Sequence, residues 1–282
     1  MKTLLLTILA MIAFAANSIL CRAALGNGLI DAVGYTSIRL ASGAIVLVLI
    51  LWIKSPDSFR PKFDSIASLM LATYAFALSY AYVQLSTGTG ALILFGMVQL
   101  TLILMGLFKG ERPRPLAWSG MTVAIAGLVY LLLPGVSAPP IMAAMLMAIS
   151  GIAWGFYTLR GSRSANATAN TTWNFVGALP LVGLAIVLTG SHMQWHNPDG
   201  ILLAVMSGAL ASGLGYVLWY AALPGLTLTQ AANVQIPVPV IAAFGGILFM
   251  DEHLTLRLVI ASLLTLGGIA MVISARQRQT AR

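Results

Sequence analysis

The residues of this chain that could do chemistry are few, and they recur about one to a helical turn inside long apolar runs. One run carries Thr73, Tyr80 and Gln84, the next Thr89, Gly96 and Gln99. Others carry Ser150, Trp154 and Tyr157, then Ser212, Tyr216, Trp219 and Tyr220, then Asn233, Gln235, Pro237 and Pro239. Asn17, Trp173 and Asn174 add to these. Such side chains recognise rather than react. An amide bonds both the ammonium and the carboxylate of a zwitterion. An aromatic face packs against apolar groups and attracts an ammonium by about 0.5–2 kcal/mol. Each stripe has a second reading, as glue between helices at about 0.6 kcal/mol per hydrogen bond. The residue types leave both readings open. No nucleophile–base set is present. Thr87-Gly88-Thr89-Gly90 lacks the preceding strand of a nucleotide loop. His192 and His196 have helical metal spacing but no third ligand beside them, and the single Cys21 forbids an internal disulfide. The expectation is a protein with no cofactor, no metal and no catalysis.

Three further groups stand out. Arg39 is a cation well inside an apolar run. It either receives a substrate carboxylate or bonds carbonyls near the end of its span, and the second, structural reading is preferred. Glu111 and Glu252 fall at run ends, where hinge-capping or ion pairing suits them better than catalysis. Pro237 and Pro239 would interrupt a backbone ladder, freeing carbonyls for substrate or for bending. Gly245-Gly246 and Gly267-Gly268 suit close helix packing.

The chain that must position these groups is 59% hydrophobic and 8% charged over 282 residues. Soluble domains carry roughly 25% charge, so most of this chain faces lipid. In lipid only helix bundles or closed barrels satisfy the backbone. Apolar runs of ~18–24 residues without alternation favour helices. Ten spans are predicted, near 3–22, 30–53, 64–85, 88–108, 115–133, 140–160, 171–189, 200–222, 227–250 and 255–275. The amino-terminal stretch MKTLLLTILAMIAFAANS has the make-up of a secretory signal. Its apolar run continues to Leu20, and its end is repeated later in the chain, so a retained first span is expected. With the N-terminus inside, 12 of the 15 basic residues fall on the cytoplasmic side, which predicts an N-in, C-in topology. The net charge of +8 is thereby a topology signal and not a sign of nucleic acid.

The chain also reads twice. At an offset of 141, Phe108 falls on Phe249, Glu111 on Glu252 and Gly127 on Gly268. At an offset of 138, Ala16–Arg22 falls on Trp154–Arg160. This predicts two units, 1–137 and 138–282, each of five helices. Five is odd, so the second unit enters the membrane from the opposite face, the inverted-repeat geometry of alternating access.

On these features the chain resembles the drug/metabolite transporter superfamily, in its ten-helix form with two EamA-like repeats. The likeness covers nearly the whole sequence. It rests on the hinges Gly110-Glu111 and Asp251-Glu252, on Pro239 before the second hinge, on Trp154-Gly155 and on Arg39. Val98-Gln99 and Ala16-Asn17 depart from the pattern in the first repeat. The branch it is most similar to comprises bacterial exporters of amino acids, including aromatic ones. The resemblance implies an integral all-α exporter of neutral amino acids or similar small metabolites in the bacterial inner membrane. Its partners would be a small-molecule substrate and lipid, with no nucleic acid and no obligate protein. The rivals are a carrier of drugs, sugars or nucleotide-like metabolites, and an intramembrane enzyme or lipid-handling protein. All seven acids fall in loops or span ends, so facilitated, downhill transport is expected. The expected substrate contacts are Asn17, Tyr80, Gln84, Gln99, Trp154, Tyr157, Tyr216, Trp219, Asn233 and Gln235. Pro237, Pro239, Glu111 and Glu252 are the expected hinges.

Overall fold

The structure, a computed structural model, describes residues 2–54, 61–108, 110, 115–161, 166–190, 197–226 and 234–280. These residues form helices and turns, with no strand among them. The helices are α1 (Lys2–Gly26), α2 (Ala32–Lys54), α3 (Ser65–Tyr82), α4 (Thr87–Phe108), α5 (Pro115–Leu132), α6 (Ile141–Gly161) and α7 (Ala167–Thr189). Then come α8 (Pro198–Met206), α9 (Gly215–Ala222), α10 (Val238–Met250) and α11 (Leu256–Thr280). A π-helical stretch, Ser207–Leu214, joins α8 to α9, so Pro198–Gly225 reads as one crossing. Among the described residues nine helices are long and apolar enough to span a bilayer, and α10 is apolar but shorter. Large apolar side chains such as Leu248, Phe249 and Leu263 cover the outer surface, as they do in a bundle solvated by lipid. Trp52 and Trp118 stand exposed near the ends of α2 and α5, where an aromatic belt would place them.

Local sequence sets the ends of several helices. Asp64 caps α3 by accepting from Ala67 N–H at 3.1 Å, and Asn166 caps α7 by accepting from Ala169 N–H at 3.0 Å. The expected ninth span, 227–250, is helical only from Val238. Pro237 is its N-cap and Pro239 lies in its first turn, where a missing N–H costs nothing. The two prolines start this helix and do not kink its middle. An interior proline exists elsewhere: Pro180 lies within α7.

The helices pack by a rule that survives exchange of the two halves. α2 packs on α7, α4 on α10 and α5 on α11. α3 packs on α6, and correspondingly α1 packs on the α8–α9 crossing. α4 packs on α6, and α1 on α10. Small residues allow the closest approaches. A Cβ on Gly120 would stand 2.6 Å from the Gly268 carbonyl oxygen, so α5 and α11 touch backbone to backbone. A Cβ on Gly208 would strike the backbone carbonyl of Arg39, so the π-helical stretch lies directly on α2.

Candidate functional site

Where α1, α2, α3 and α4 meet α6 and the π-helical stretch, they enclose a small cavity. Its wall is Phe14, Asn17, Arg39, Tyr74, Leu94, Phe95, Trp154, Ala211, Ser212 and Tyr216. The first six come from one predicted unit and the last four from the other. The space is about that of one water molecule, so the bundle is closed down on it.

Trp154 is the hub of the aromatic part. Its ring lies 4.8 Å from Tyr74, 5.2 Å from Tyr157 and 5.2 Å from Tyr216, stacked on the last two. Tyr216 in turn meets Phe14 at 6.0 Å and Phe175 at 5.8 Å. Trp219 backs this layer, edge-on to Phe14 at 6.0 Å. Such contacts add about 0.5–1.5 kcal/mol each beyond burial and hold the rings in register.

The polar part is a continuous chain of hydrogen bonds. Ser207 Oγ donates to Asn17 Oδ1 at 2.8 Å, and Asn17 Nδ2 donates to the Tyr74 hydroxyl at 3.2 Å. Arg39 Nη2 donates to the same hydroxyl at 3.0 Å, and Arg39 Nε donates to Ser212 Oγ at 3.3 Å. The Arg39 guanidinium also lies 5.1 Å from the centre of the Tyr74 ring. Both ends of the chain lie in the π-helical stretch. Widening a helix by one residue per turn re-aims its side chains, and such bulges recur at functional sites.

The expected contacts divide in three. Asn17, Trp154 and Tyr216 line the cavity, with Tyr157 and Trp219 packed behind them. Gln99 is buried on α4, but the wall there is Leu94 and Phe95, and Gln235 is half-buried in the turn before α10. Tyr80 and Gln84 are exposed, Tyr80 by 43%, and lie off the cavity. The buried face of α3 is Ala67, Leu71, Tyr74, Leu78 and Ala81, about one residue around the helix from the stripe of Thr73 and Tyr80. Asn233 and Glu111 lie outside the described residues. Tyr74, Phe14 and Ser207 are additions that polarity alone did not single out; the apolar period of α3 would have pointed to Tyr74. Arg39 is also corrected. It bonds two side-chain hydroxyls in the cavity and not carbonyls near the end of its span.

Glu252 follows a tight turn. Asp251 takes a left-handed conformation (φ 51°) at the end of α10, and the turn brings Glu252 back over the start of α4. There it accepts from Thr87 N–H at 2.9 and 3.0 Å and from Arg22 Nε at 3.2 Å. Arg22 also donates to the carbonyls of Tyr82 and Val83 at 3.0 and 3.1 Å. Arg160, which Arg22 falls on at the 138-residue offset, pairs instead with Asp64 at the start of α3. Ser150 is glue: it donates to the Tyr74 carbonyl at 2.9 Å and ties α6 to α3.

A bundle of apolar helices around a closed cavity of rings, an amide, hydroxyls and one guanidinium defines a multi-pass membrane protein. The EamA-like transporter family matches residues 1–133 and again residues 141–274, so the chain belongs to that family. It is 50% identical to an uncharacterised protein of Pseudomonas aeruginosa over 100% of this chain and 98% of that one. It is 28% identical to the threonine/homoserine exporter RhtA of Escherichia coli K12, over 86% of this chain and 80% of the exporter. One crystal structure superposes with a TM-score of 0.66, at 18% identity, covering 96% of this chain and 98% of that chain, which shows the shared fold. The protein is a multi-pass transporter of the bacterial inner membrane.

Proposed function

We propose that the protein exports neutral amino acids or similarly small metabolites, and that the cavity around Trp154 is where they bind. The observation that carries this reading is the cavity's position: its wall is shared between residues of both predicted units. Rocking one unit against the other would open such a site to either face in turn. The exporter relatives are named for threonine and homoserine, small molecules that this closed cavity would have to widen to admit. The units 1–137 and 138–282 are taken as inverted, with both termini in the cytoplasm. Reporter fusions after Arg60, Arg112 and Arg282 are expected to report cytoplasm, and one after Asn197 the opposite side; an outside signal at the C-terminus would remove the inverted arrangement. Transport is taken to be downhill. Among the described residues the acids Asp31, Asp64, Asp199, Asp251 and Glu252 all stand at helix ends or turns, so no carboxylate carries a proton at mid-depth.

The test is export from cells. Cells overproducing the protein are loaded with amino-acid-containing dipeptides, and release of the free amino acids is followed. Release is expected to rise with the wild-type protein and to stay at background with Trp154→Ala at equal membrane abundance. Equal release from both proteins would remove the cavity from the pathway.

A further inference from the structure

We propose that Arg39 is the carboxylate receptor of this cavity, so that the transported class is organic carboxylates, amino acids included, bound by the acid end at Arg39 and packed against Trp154. This rests on the reading of the cavity as the transport site and adds which end of the molecule is recognised. Arg39 lies seven residues into α2, about 10 Å along its axis. It is 1% exposed. A buried arginine is normally paired with an acid, because an unpaired charge in a low-dielectric interior is costly. Here its partners are the hydroxyls of Tyr74 and Ser212 and the face of the Tyr74 ring, with no carboxylate among them. The two ion pairs of the described residues, Arg22–Glu252 and Arg160–Asp64, lie at helix ends.

The hydrogen-bond ledger of the cavity is short of acceptors. Arg39 Nη1 is buried with no partner. The Tyr74 hydroxyl accepts from both Arg39 and Asn17, and Ser212 Oγ accepts from Arg39, so each keeps its own proton to give. Among the described residues neither proton has an acceptor. Arg39, Tyr74 and Ser212 all line this cavity, so donors from three residues, one of them cationic, surround one small space whose only side-chain amide oxygen, on Asn17, already accepts from Ser207. A carboxylate supplies what is missing: two oxygens with about four acceptor sites, in the plane that a guanidinium fork matches. The bonds to Tyr74 and Ser212 hold that fork in place, leaving Nη1 as its open edge. Replacing a carboxylate by a carboxamide keeps shape and size but removes the charge and turns one acceptor into a donor.

The experiment measures equilibrium binding to the purified protein in detergent for a panel of neutral L-amino acids, including L-threonine and L-homoserine, each against its own carboxamide. Wild-type protein is expected to bind the acids tenfold or more tightly than the amides. Arg39→Met is expected to abolish that preference, and Arg39→Lys to keep part of it. Trp154→Ala is expected to weaken acid and amide together. A wild-type protein that binds amides as tightly as acids overturns the proposal, with no variant needed. So does an Arg39→Met protein that keeps the preference. If Trp154→Ala loses binding while Arg39→Met still discriminates, Arg39 falls and the cavity stands. If neither variant changes binding, or no acid of the panel binds, the cavity falls with it.

Discussion

Arg22 and Arg39, on the first two helices, are two largely buried arginines with opposite surroundings. Arg22, at the end of α1, has every advantage a cation can have: a carboxylate at 3.2 Å, two carbonyls within 3.1 Å, and a partner that also caps α4. Arg39, seven residues into α2, has two neutral hydroxyls, a ring and an unused N–H. The first arrangement closes one end of the bundle from within the protein. The second leaves a charge that the protein itself does not balance. The difference separates a residue that holds the fold from one that waits for a ligand, and it predicts that the two respond oppositely to mutation.

The largest effect is expected at the unbalanced arginine. A charge-assisted hydrogen bond contributes about 1.5–3 kcal/mol, so Arg39→Met should cut transport by roughly ten- to a hundredfold. Its melting temperature should hold or rise, because replacing an uncompensated buried charge by an apolar side chain is often neutral or stabilising. A melting temperature that collapses with transport would make Arg39 structural, like Arg22. Next comes Glu252→Ala, which strands the Thr87 N–H and removes the acid from Arg22. A loss of about 1–3 kcal/mol in unfolding free energy is expected, with a coupling of about 0.5–3 kcal/mol to Arg22→Met in a double-mutant cycle. Additive single effects would show that the pair does not act as a unit.

The smallest effect belongs to Arg160 and Asp64, whose side chains are 48% and 24% exposed. Partial burial pushes the Asp64 carboxyl up, but the Arg160 guanidinium and the Ala67 N–H outweigh it and hold it below its ordinary value. A carboxyl lowered on folding stabilises the protein above its unfolded pKa, and that share is lost as pH falls through the folded one. Screening keeps the contribution within about 1 kcal/mol. Asp64→Asn should therefore leave stability nearly unchanged after acidification and lower it slightly at neutral pH. A larger loss at acid than at neutral pH would contradict the sign.

Much of the architecture was legible because lipid is a strict solvent. Low charge and long apolar runs leave a helix bundle as the reading, and the helices stand where those runs lie. α10 is the exception, since Pro237 and Pro239 look like a mid-span interruption until helix capping places them at a start. The cavity was legible only in part. Asn17, Trp154 and Tyr216 announced themselves as polar or aromatic groups in apolar helices. Tyr80 gave the same signal from the exposed side of α3 and Gln84 from the turn after it, because a helix shows polarity on any face while its apolar period alone tells which face is buried. The π-helical turn that brings Ser207 and Ser212 to Asn17 and Arg39 had mostly small residues to mark it. Which hydroxyl meets which amide depends on contacts up to 190 residues apart, and no local pattern records those.

The most direct test of the transport reading is uptake of labelled neutral L-amino acids, L-threonine and L-homoserine among them, into proteoliposomes containing the purified protein. Membrane potential is clamped, and uptake is followed with and without an imposed pH gradient. The account predicts saturable uptake that stops at equal concentrations inside and out, is indifferent to the pH gradient, and is lost with Trp154→Ala. Accumulation above equality that requires the pH gradient would contradict downhill transport, and undiminished uptake by Trp154→Ala would contradict the cavity itself.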